Sequence, residues 1–79
     1  MKILNTDTNS PTKNICIYLT SAEALQMLGY LEQLVAELDE HYHLNDEDFE
    51  REISLVIYNP NDLSGFDARS KRLIENDEW

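Results

Sequence analysis

The chain has 79 residues, with 16 acidic and six basic side chains and a formal net charge of −10 at pH 7. A chain of this length forms at most one small domain, which buries only about 60% of its unfolded surface, so an enclosed catalytic cleft is not expected. No apolar run approaches the ~18 residues of a membrane span, and the apolar start is too short for a signal peptide. The single cysteine, Cys16, excludes an internal disulfide and a cysteine-based zinc site. We therefore expect a cytoplasmic protein.

The negative charge opposes binding to nucleic-acid phosphates and to anionic membranes. DNA binding depends on counterion release through Lys and Arg contacts, and six basic residues offer little of it. Half of those basic residues lie within the four positions 69–72. We expect no direct nucleic-acid binding and no membrane binding.

The first predicted elements are strands. Met1–Leu4 has the pattern of a short strand, and residues 5–12, rich in Thr, Asn and Asp, have that of a loop. Residues 14–20 combine β-branched and aromatic side chains with a period of two, which predicts a longer strand. One face of that strand would carry Ile15, Ile17 and Leu19.

A long helix is predicted to follow. Thr20 and Glu23 have the spacing of a capping box, which marks a helix start. Apolar residues then recur at steps of three and four, at Ala24, Leu25, Leu28, Leu31, Leu34, Val35 and Leu38. We interpret this stripe, widened by Met27 and Tyr30, as the face that packs on the core. The helix is expected to end near residues 40–43.

The second half predicts a turn, a strand and a last helix. Asn45–Asp48 is a polar turn, and residues 52–58 alternate as a second main strand. One face of this strand would carry Ile53, Leu55 and Ile57. Asn59–Asp62 contains Pro60 and predicts a further turn. The tail from Leu63 has the spacing of a short amphipathic helix.

These elements predict an α+β fold in one domain over residues 1–79. It would hold a small single-layer sheet of two or three strands, with one long and one short helix packed on one face, in the order (β)βαβα. The two main strands could pair in parallel through a right-handed crossover. Alternatively, Met1–Leu4 could pair between them in a mixed sheet, and both arrangements stay open.

The acidic middle of the chain is the first candidate site. Eight of the 16 acidic residues lie within residues 37–52, where Arg51 is the only basic residue. Such a run is commonly a solvated surface, or else a docking surface that steers a basic partner. Tyr42 and Phe49 would be its apolar anchors. The residues predicted to contact the partner are Asp39, Glu40, Tyr42, Asp46, Glu47, Asp48, Phe49 and Glu50.

The second face of the predicted sheet is the next candidate, since two helices cannot cover both faces. Its residues are Cys16, Tyr18, Val56 and Tyr58. Exposed apolar and aromatic residues on a flat face predict an interface, here of a homodimer or larger assembly. Arg69, Lys71 and Arg72 would form the rim of a site for a small anionic ligand. As a mid-strand residue, Cys16 is expected to be a buried structural thiol rather than a nucleophile.

His41 and His43 form a weaker candidate. In extended backbone an H-x-H pair points both imidazoles to one side, where Asp39, Asp46 or Asp48 could complete a transition-metal site. In a helix the two rings point about 200° apart and no such site exists. The primary expectation is therefore that the chain holds no metal and no cofactor.

No catalytic motif is present. Asp46, Asp48 and Glu50 alternate like the start of a calcium loop, but Arg51 stands where the loop requires glycine. A phosphate-binding loop and a nucleophile elbow are also missing. We expect a non-enzyme, namely a small acidic protein of the inhibitor, immunity, antitoxin or anti-defence type that binds a basic surface of another protein. The alternative is a homo-oligomeric domain that binds a small anionic ligand.

Overall fold

The computed structural model describes residues 1–37 and 41–79. Within those residues the element order is ββαββα, an α+β fold as predicted. The elements are β1 (Leu4–Asn5), β2 (Ser10–Pro11), α1 (Ser21–Ala36), β3 (His41–Asn45), β4 (Glu52–Val56) and α2 (Ala68–Asn76).

The described strands form two separate antiparallel sheets of two strands each, where the sequence predicted one sheet. β1 pairs with β2 through Leu4↔Pro11 and Asn5↔Ser10. β3 pairs with β4 in a register that runs from His41↔Val56 to Asn45↔Glu52. A short turn joins β3 to β4, which an antiparallel pair permits and a parallel pair does not. The hairpin thus replaces both strand arrangements that the sequence had left open.

The chain divides into two compact units. One consists of residues 1–17 and 59–79 and contains β1, β2 and α2, while the other consists of residues 18–58 and contains α1, β3 and β4. Leu34 and Leu44 are the buried apolar residues of the second unit, and Leu73 is that of the first, among the residues described. The prediction of one domain over residues 1–79 stays a prediction.

Helix α1 begins where the capping box predicts. The Glu23 amide donates to Thr20 Oγ1 at 3.2 Å, and the Thr20 amide donates to Glu23 Oε1 at 2.8 Å. The helix ends at Ala36, earlier than predicted, and Glu37 is its C-cap. Residues 41–43 belong to β3 instead, because they form a ladder with β4 that local helix signals cannot reveal. Leu38 lies outside the described residues.

The predicted core face of α1 is wrong in part. Leu34 is 1% exposed and Met27 and Tyr30 are half-buried, so this side of the helix packs in the core. Four stripe residues have exposed fractions between 43% and 71%, and they are Leu25, Leu28, Leu31 and Val35. The helix has two apolar sides, and packing against the hairpin covers only one of them.

The predicted strand over residues 14–20 is wrong, since these residues form neither helix nor strand. Its presumed inner residues, Ile15, Ile17 and Leu19, are exposed. Cys16 is exposed as well, which contradicts the prediction of a buried thiol. A strand needs a partner for its backbone groups, and in the described structure β4 pairs with β3.

The last predicted elements are confirmed with shifted bounds. Asn59 and Asp62 form an isolated antiparallel bridge at the predicted turn. Helix α2 starts at Ala68, not Leu63, because the Asp67 side chain caps it by accepting from the Ser70 amide at 2.7 Å. Leu73 on its apolar side is buried, as its spacing predicts.

Candidate functional site

The β3–β4 hairpin has two faces of different chemistry. Directly paired residues of an antiparallel ladder point to the same side, and burial alternates along both strands. The covered face holds Tyr42, Leu44, Ile53 and Leu55. The outer face holds His41, His43, Asn45, Glu52, Ser54 and Val56.

Asp46 organises the turn between the two strands. Its Oδ1 accepts from the Glu50 amide at 2.8 Å and from the Arg51 amide at 3.2 Å. Its carbonyl accepts from the Phe49 amide at 3.1 Å. The Arg51 guanidinium lies 3.5 Å from Asp46 Oδ2 and 3.6 Å from Glu50 Oε2. Asp46 therefore works as a structural residue of the turn.

The same contacts lower the pKa of Asp46. The bond from the Arg51 amide is the largest cause, because it stabilises the ionised carboxylate. Desolvation opposes it, and the bond from the Glu50 amide together with the Arg51 guanidinium lowers the pKa further. The carboxylate is thus held in its charged form by the turn it supports.

Phe49 stands at the tip of this turn with 78% of its surface exposed. Its φ of 54° lies in the left-handed region, which costs a non-glycine residue about 1–2 kcal/mol. Glu47, Asp48 and Glu50 surround it in the sequence, and all three are exposed. We name Glu47, Asp48, Phe49 and Glu50 the acidic tip. It combines an outward aromatic ring with three carboxylates, which suits contact with a basic, partly apolar surface.

The other predicted partner-binding residues are arranged differently. Tyr42 lies on the covered face, where its ring stacks on Tyr30 with centroids 5.1 Å apart. Asp39 and Glu40 lie outside the described residues. Of the predicted partner-binding residues, those of the acidic tip are exposed in one turn, whereas Tyr42 lies on the covered face of the hairpin.

The four residues of the predicted sheet-face interface do not lie on one sheet face. Tyr18 is 92% exposed but precedes α1 in irregular backbone, and Cys16 belongs to the other compact unit. Val56 lies on the outer hairpin face opposite His41, and Tyr58 follows the end of β4. These four residues therefore share no sheet face, and an interface role for each stays a prediction.

Cys16 instead lines a shallow pocket within residues 1–17. The pocket has a volume of about 310 Å³. Its lining residues are Ile3, Leu4, Asn5, Thr12, Asn14, Ile15 and Cys16. The pocket contributes one thiol and a few hydroxyl and amide groups, and no base or acid accompanies them.

The predicted basic rim lies on α2. The Arg69 guanidinium sits 4.9 Å from the centroid of the Trp79 ring, which is a cation–π contact. Arg72 is one turn from Arg69, whereas Lys71 projects about 200° around the helix from Arg69. The three cations therefore do not converge, and an anionic ligand at this rim stays a prediction.

His41 and His43 meet the condition that sequence reasoning set for a shared site, because β3 is extended. Their ring centroids are 5.1 Å apart and their ring planes are nearly perpendicular. The sequence did not reveal that Ser54 and Glu52 lie beside His43. The period-two spacing of Glu52, Ser54 and Val56 places them on one face of β4, but only the hairpin register shows that this is the face of the two histidines. Over residues 1–37 and 41–79, no group of three or more His, Cys, Asp or Glu side chains is arranged to hold a metal ion.

The chain matches no protein-family model, no curated protein and no solved structure with which it was compared. In the described part of the chain, no helix combines the length and the apolar character that crossing a membrane requires. The site's own chemistry is therefore the basis for a functional hypothesis.

Proposed function

We propose that this chain is a protein-interaction module whose acidic tip binds a basic surface of another protein. The proposed class is a cytoplasmic inhibitor, immunity protein, antitoxin or anti-defence protein, with no catalysis of its own. The single observation that supports it most is Phe49, which is exposed and held in a left-handed conformation between acidic neighbours. Backbone strain of this kind concentrates at functional loops.

The charge distribution favours the same interpretation. Glu47, Asp48 and Glu50 project from a turn in which Asp46 and Arg51 already neutralise part of each other. The chain as a whole has a net charge of −10, so long-range attraction would raise the association rate with a basic protein. Phe49 would then supply the buried apolar contact that slows dissociation.

A charge-reversal experiment tests this proposal. Three chains are immobilised: the wild type, a tip variant with Glu47→Lys, Asp48→Lys and Glu50→Lys, and a matched control with Asp7→Lys, Glu75→Lys and Glu78→Lys. Each is exposed to lysate of the source organism, and captured proteins are identified by mass spectrometry. The control changes the net charge equally but at exposed positions that belong to the other compact unit of the chain.

We expect a basic protein that the wild type and the control capture and the tip variant does not. Its affinity for purified wild type should fall as salt rises from 50 to 500 mM, and Phe49→Ala should weaken binding by tenfold or more. Equal capture by the tip variant, with the same salt dependence, would contradict the proposal.

A second candidate function, self-association, has a specific observation in its favour. Leu28, Leu31 and Val35 follow one another at steps of three and four on the uncovered side of α1, and all are exposed. This is the spacing of a helix–helix seam. Helix α1 carries no Lys or Arg, and its charged residues are Glu23 and Glu32. Two antiparallel copies would place Leu28 and Leu31 against each other at the centre.

The exposure of this stripe favours a homodimer seam. With Leu25 included, the four residues are between 43% and 71% exposed along one helix, and neighbouring exposed apolar residues often mark an interface. A standard interface buries about 800 Å² per partner, so the stripe would form its apolar centre. We infer that a second copy of the chain is the occupant of this face.

Analytical ultracentrifugation over a wide concentration range tests the dimer. Leu28→Glu should abolish self-association because it puts a charge at the centre of the seam. Val56→Glu is the matched control, since Val56 is also an exposed aliphatic residue but lies on the hairpin. A wild type that stays monomeric, or a dimer lost only in Val56→Glu, would contradict this assignment.

A further inference from the structure

The outer face of the hairpin places two imidazoles next to each other. His41 and His43 are two positions apart in extended β3 and point to the same side. Their rings meet edge to face with centroids 5.1 Å apart. Both residues are exposed, so the ring of His41 can turn about its side-chain torsions without displacing a neighbour from the core. Two imidazole nitrogens on one strand face are a chelating pair for a transition-metal ion.

The strand opposite holds one of these rings in place. His43 Nδ1 lies 2.8 Å from Ser54 Oγ and 3.5 Å from Glu52 Oε1. Because an ionised carboxylate only accepts hydrogen bonds, the contacts at Nδ1 favour the tautomer with its proton on Nδ1. In that tautomer Nε2 keeps a lone pair that can bind a metal ion. Metal-binding histidines in proteins have this arrangement, in which the second nitrogen donates to a carboxylate, carbonyl or hydroxyl.

The local charge also favours a cation. The six positions of the outer face contain Glu52 and no Lys or Arg. Within residues 1–37 and 41–79, no group of three or more His, Cys, Asp or Glu side chains has an arrangement that could hold a metal ion. The proposed site therefore uses the two imidazole nitrogens, and water would fill the other positions. Such a site suits ions with high affinity for imidazole, in the order Cu²⁺ above Ni²⁺ and Zn²⁺.

We propose that His41 and His43 form a two-histidine site for a divalent transition-metal ion, with Ser54 and Glu52 as positioning residues for His43. The site lies on the strands of the hairpin, not on the acidic tip. It is therefore independent of the proposed partner binding, and either proposal can fail alone.

Isothermal titration calorimetry with Ni²⁺ in a non-coordinating buffer at pH 7.5 tests the site. All chains carry Cys16→Ser, because the exposed thiol is itself a metal ligand. We expect one ion per chain and a Kd in the micromolar range. His41→Ala and His43→Ala should each weaken binding at least tenfold. Ser54→Ala and Glu52→Gln should each weaken it about tenfold, the lower end of known effects of such partners.

The charge-reversed tip variant is the matched control and should bind Ni²⁺ within a few-fold of the Cys16→Ser chain. Electron paramagnetic resonance of bound Cu²⁺ gives a second readout that needs no histidine variant, and echo-modulation spectra should show two imidazoles. Absence of Ni²⁺ binding, or Cu²⁺ spectra without imidazole, would overturn the site. Unchanged Ni²⁺ affinity in the chain that carries both His41→Ala and His43→Ala would also overturn it, because the binding would then be adventitious.

Discussion

The ring of Tyr30 in α1 stacks on the ring of Tyr42 in β3, with centroids 5.1 Å apart and planes 12° from parallel. Gln26 Nε2 donates to Tyr30 Oη at 3.0 Å, one turn earlier on the same helix. The stack joins the side of α1 that packs in the core to the covered face of the hairpin. Together with buried Leu34, it marks the side of the helix that is covered by the hairpin.

A double-mutant cycle should detect this stack. Tyr30→Ala, Tyr42→Ala and the double variant should give a coupling free energy of about 1 kcal/mol, since stacked aromatic rings contribute ~0.5–1.5 kcal/mol beyond the area they bury. Urea unfolding followed by circular dichroism measures it. Tyr18→Ala paired with Tyr42→Ala is the control and should show additive effects. A coupling near zero for Tyr30 with Tyr42 would contradict the stacked geometry.

Two leucines on the two sides of α1 should differ sharply. Leu34→Ala should lower the free energy of unfolding by about 2–5 kcal/mol, because it removes a side chain that is 1% exposed and leaves a cavity. Leu28→Ala, at 52% exposure, should change it by less than about 1 kcal/mol when measured at low concentration, where any dimer has dissociated. Equal losses in the two variants would mean that the exposed stripe is part of the core.

Relief of strain at the tip should raise stability. Phe49→Gly removes a side chain from a residue with φ of 54°, and glycine adopts this conformation without steric cost. We expect the free energy of unfolding to rise by up to about 1 kcal/mol, with the gain reduced by the greater freedom of glycine in the unfolded chain.

The matched control for that variant is Glu47→Gly, two residues earlier in the same turn, where φ is not positive. It should leave stability unchanged or lower it. Urea unfolding of the wild type and both variants gives the midpoints to compare. If Phe49→Gly lowers the midpoint as much as Glu47→Gly does, Phe49 carries no strain.

Acid should weaken the hairpin turn through Asp46. Its pKa in the folded chain lies below the ordinary value of 3.8, so the unfolded chain binds this proton first as pH falls. The stabilisation is complete above pH 3.8 and is lost as pH falls through the lowered folded value. Asp62 and Asp67 have pKa values lowered by bonds to Ser64 and to Ser70 and add losses of the same sign.

Urea midpoints measured at pH 7 and at pH 2.5 test this linkage. Asp46→Asn should be less stable than the wild type at pH 7 and should lose less on acidification. Asp48→Asn, in the same turn, is the matched control and should keep the acid loss of the wild type. An acid loss in Asp46→Asn as large as that of the wild type would show that the carboxylate of Asp46 is not the source.

Local signals were sufficient for several elements. The capping box at Thr20 and Glu23 and the turn at residues 59–62 appear in the structure because each depends on neighbours within a few positions. The alternation of Glu52–Val56 also appears, but it becomes a strand through its pairing with β3. The α+β class follows from these elements together. The turn predicted over Asn45–Asp48 overlaps the acidic tip only in part, because Asn45 is the last residue of β3, and the left-handed backbone of Phe49 was not predicted.

The remaining features depended on partners far along the chain. β3 exists because His41–Asn45 pairs with Glu52–Val56, whereas residues 14–20 have an equally good strand pattern and form no strand. Period-two spacing states which side chains share a face, but a strand forms only where another strand satisfies its backbone groups.

The start of α1, the two-sided chemistry of β4 and the strong negative charge follow directly from the order of the residues. The apolar side of α1 that became core, and the backbone partners of His41–Asn45, depend on packing between segments that are distant along the chain. The pairing of β3 with β4 also places two histidines, a serine and a glutamate on one face. Local spacing defines the two apolar sides of the helix and the two faces of each strand. It does not define which of them is buried, because burial depends on the segment that packs against it.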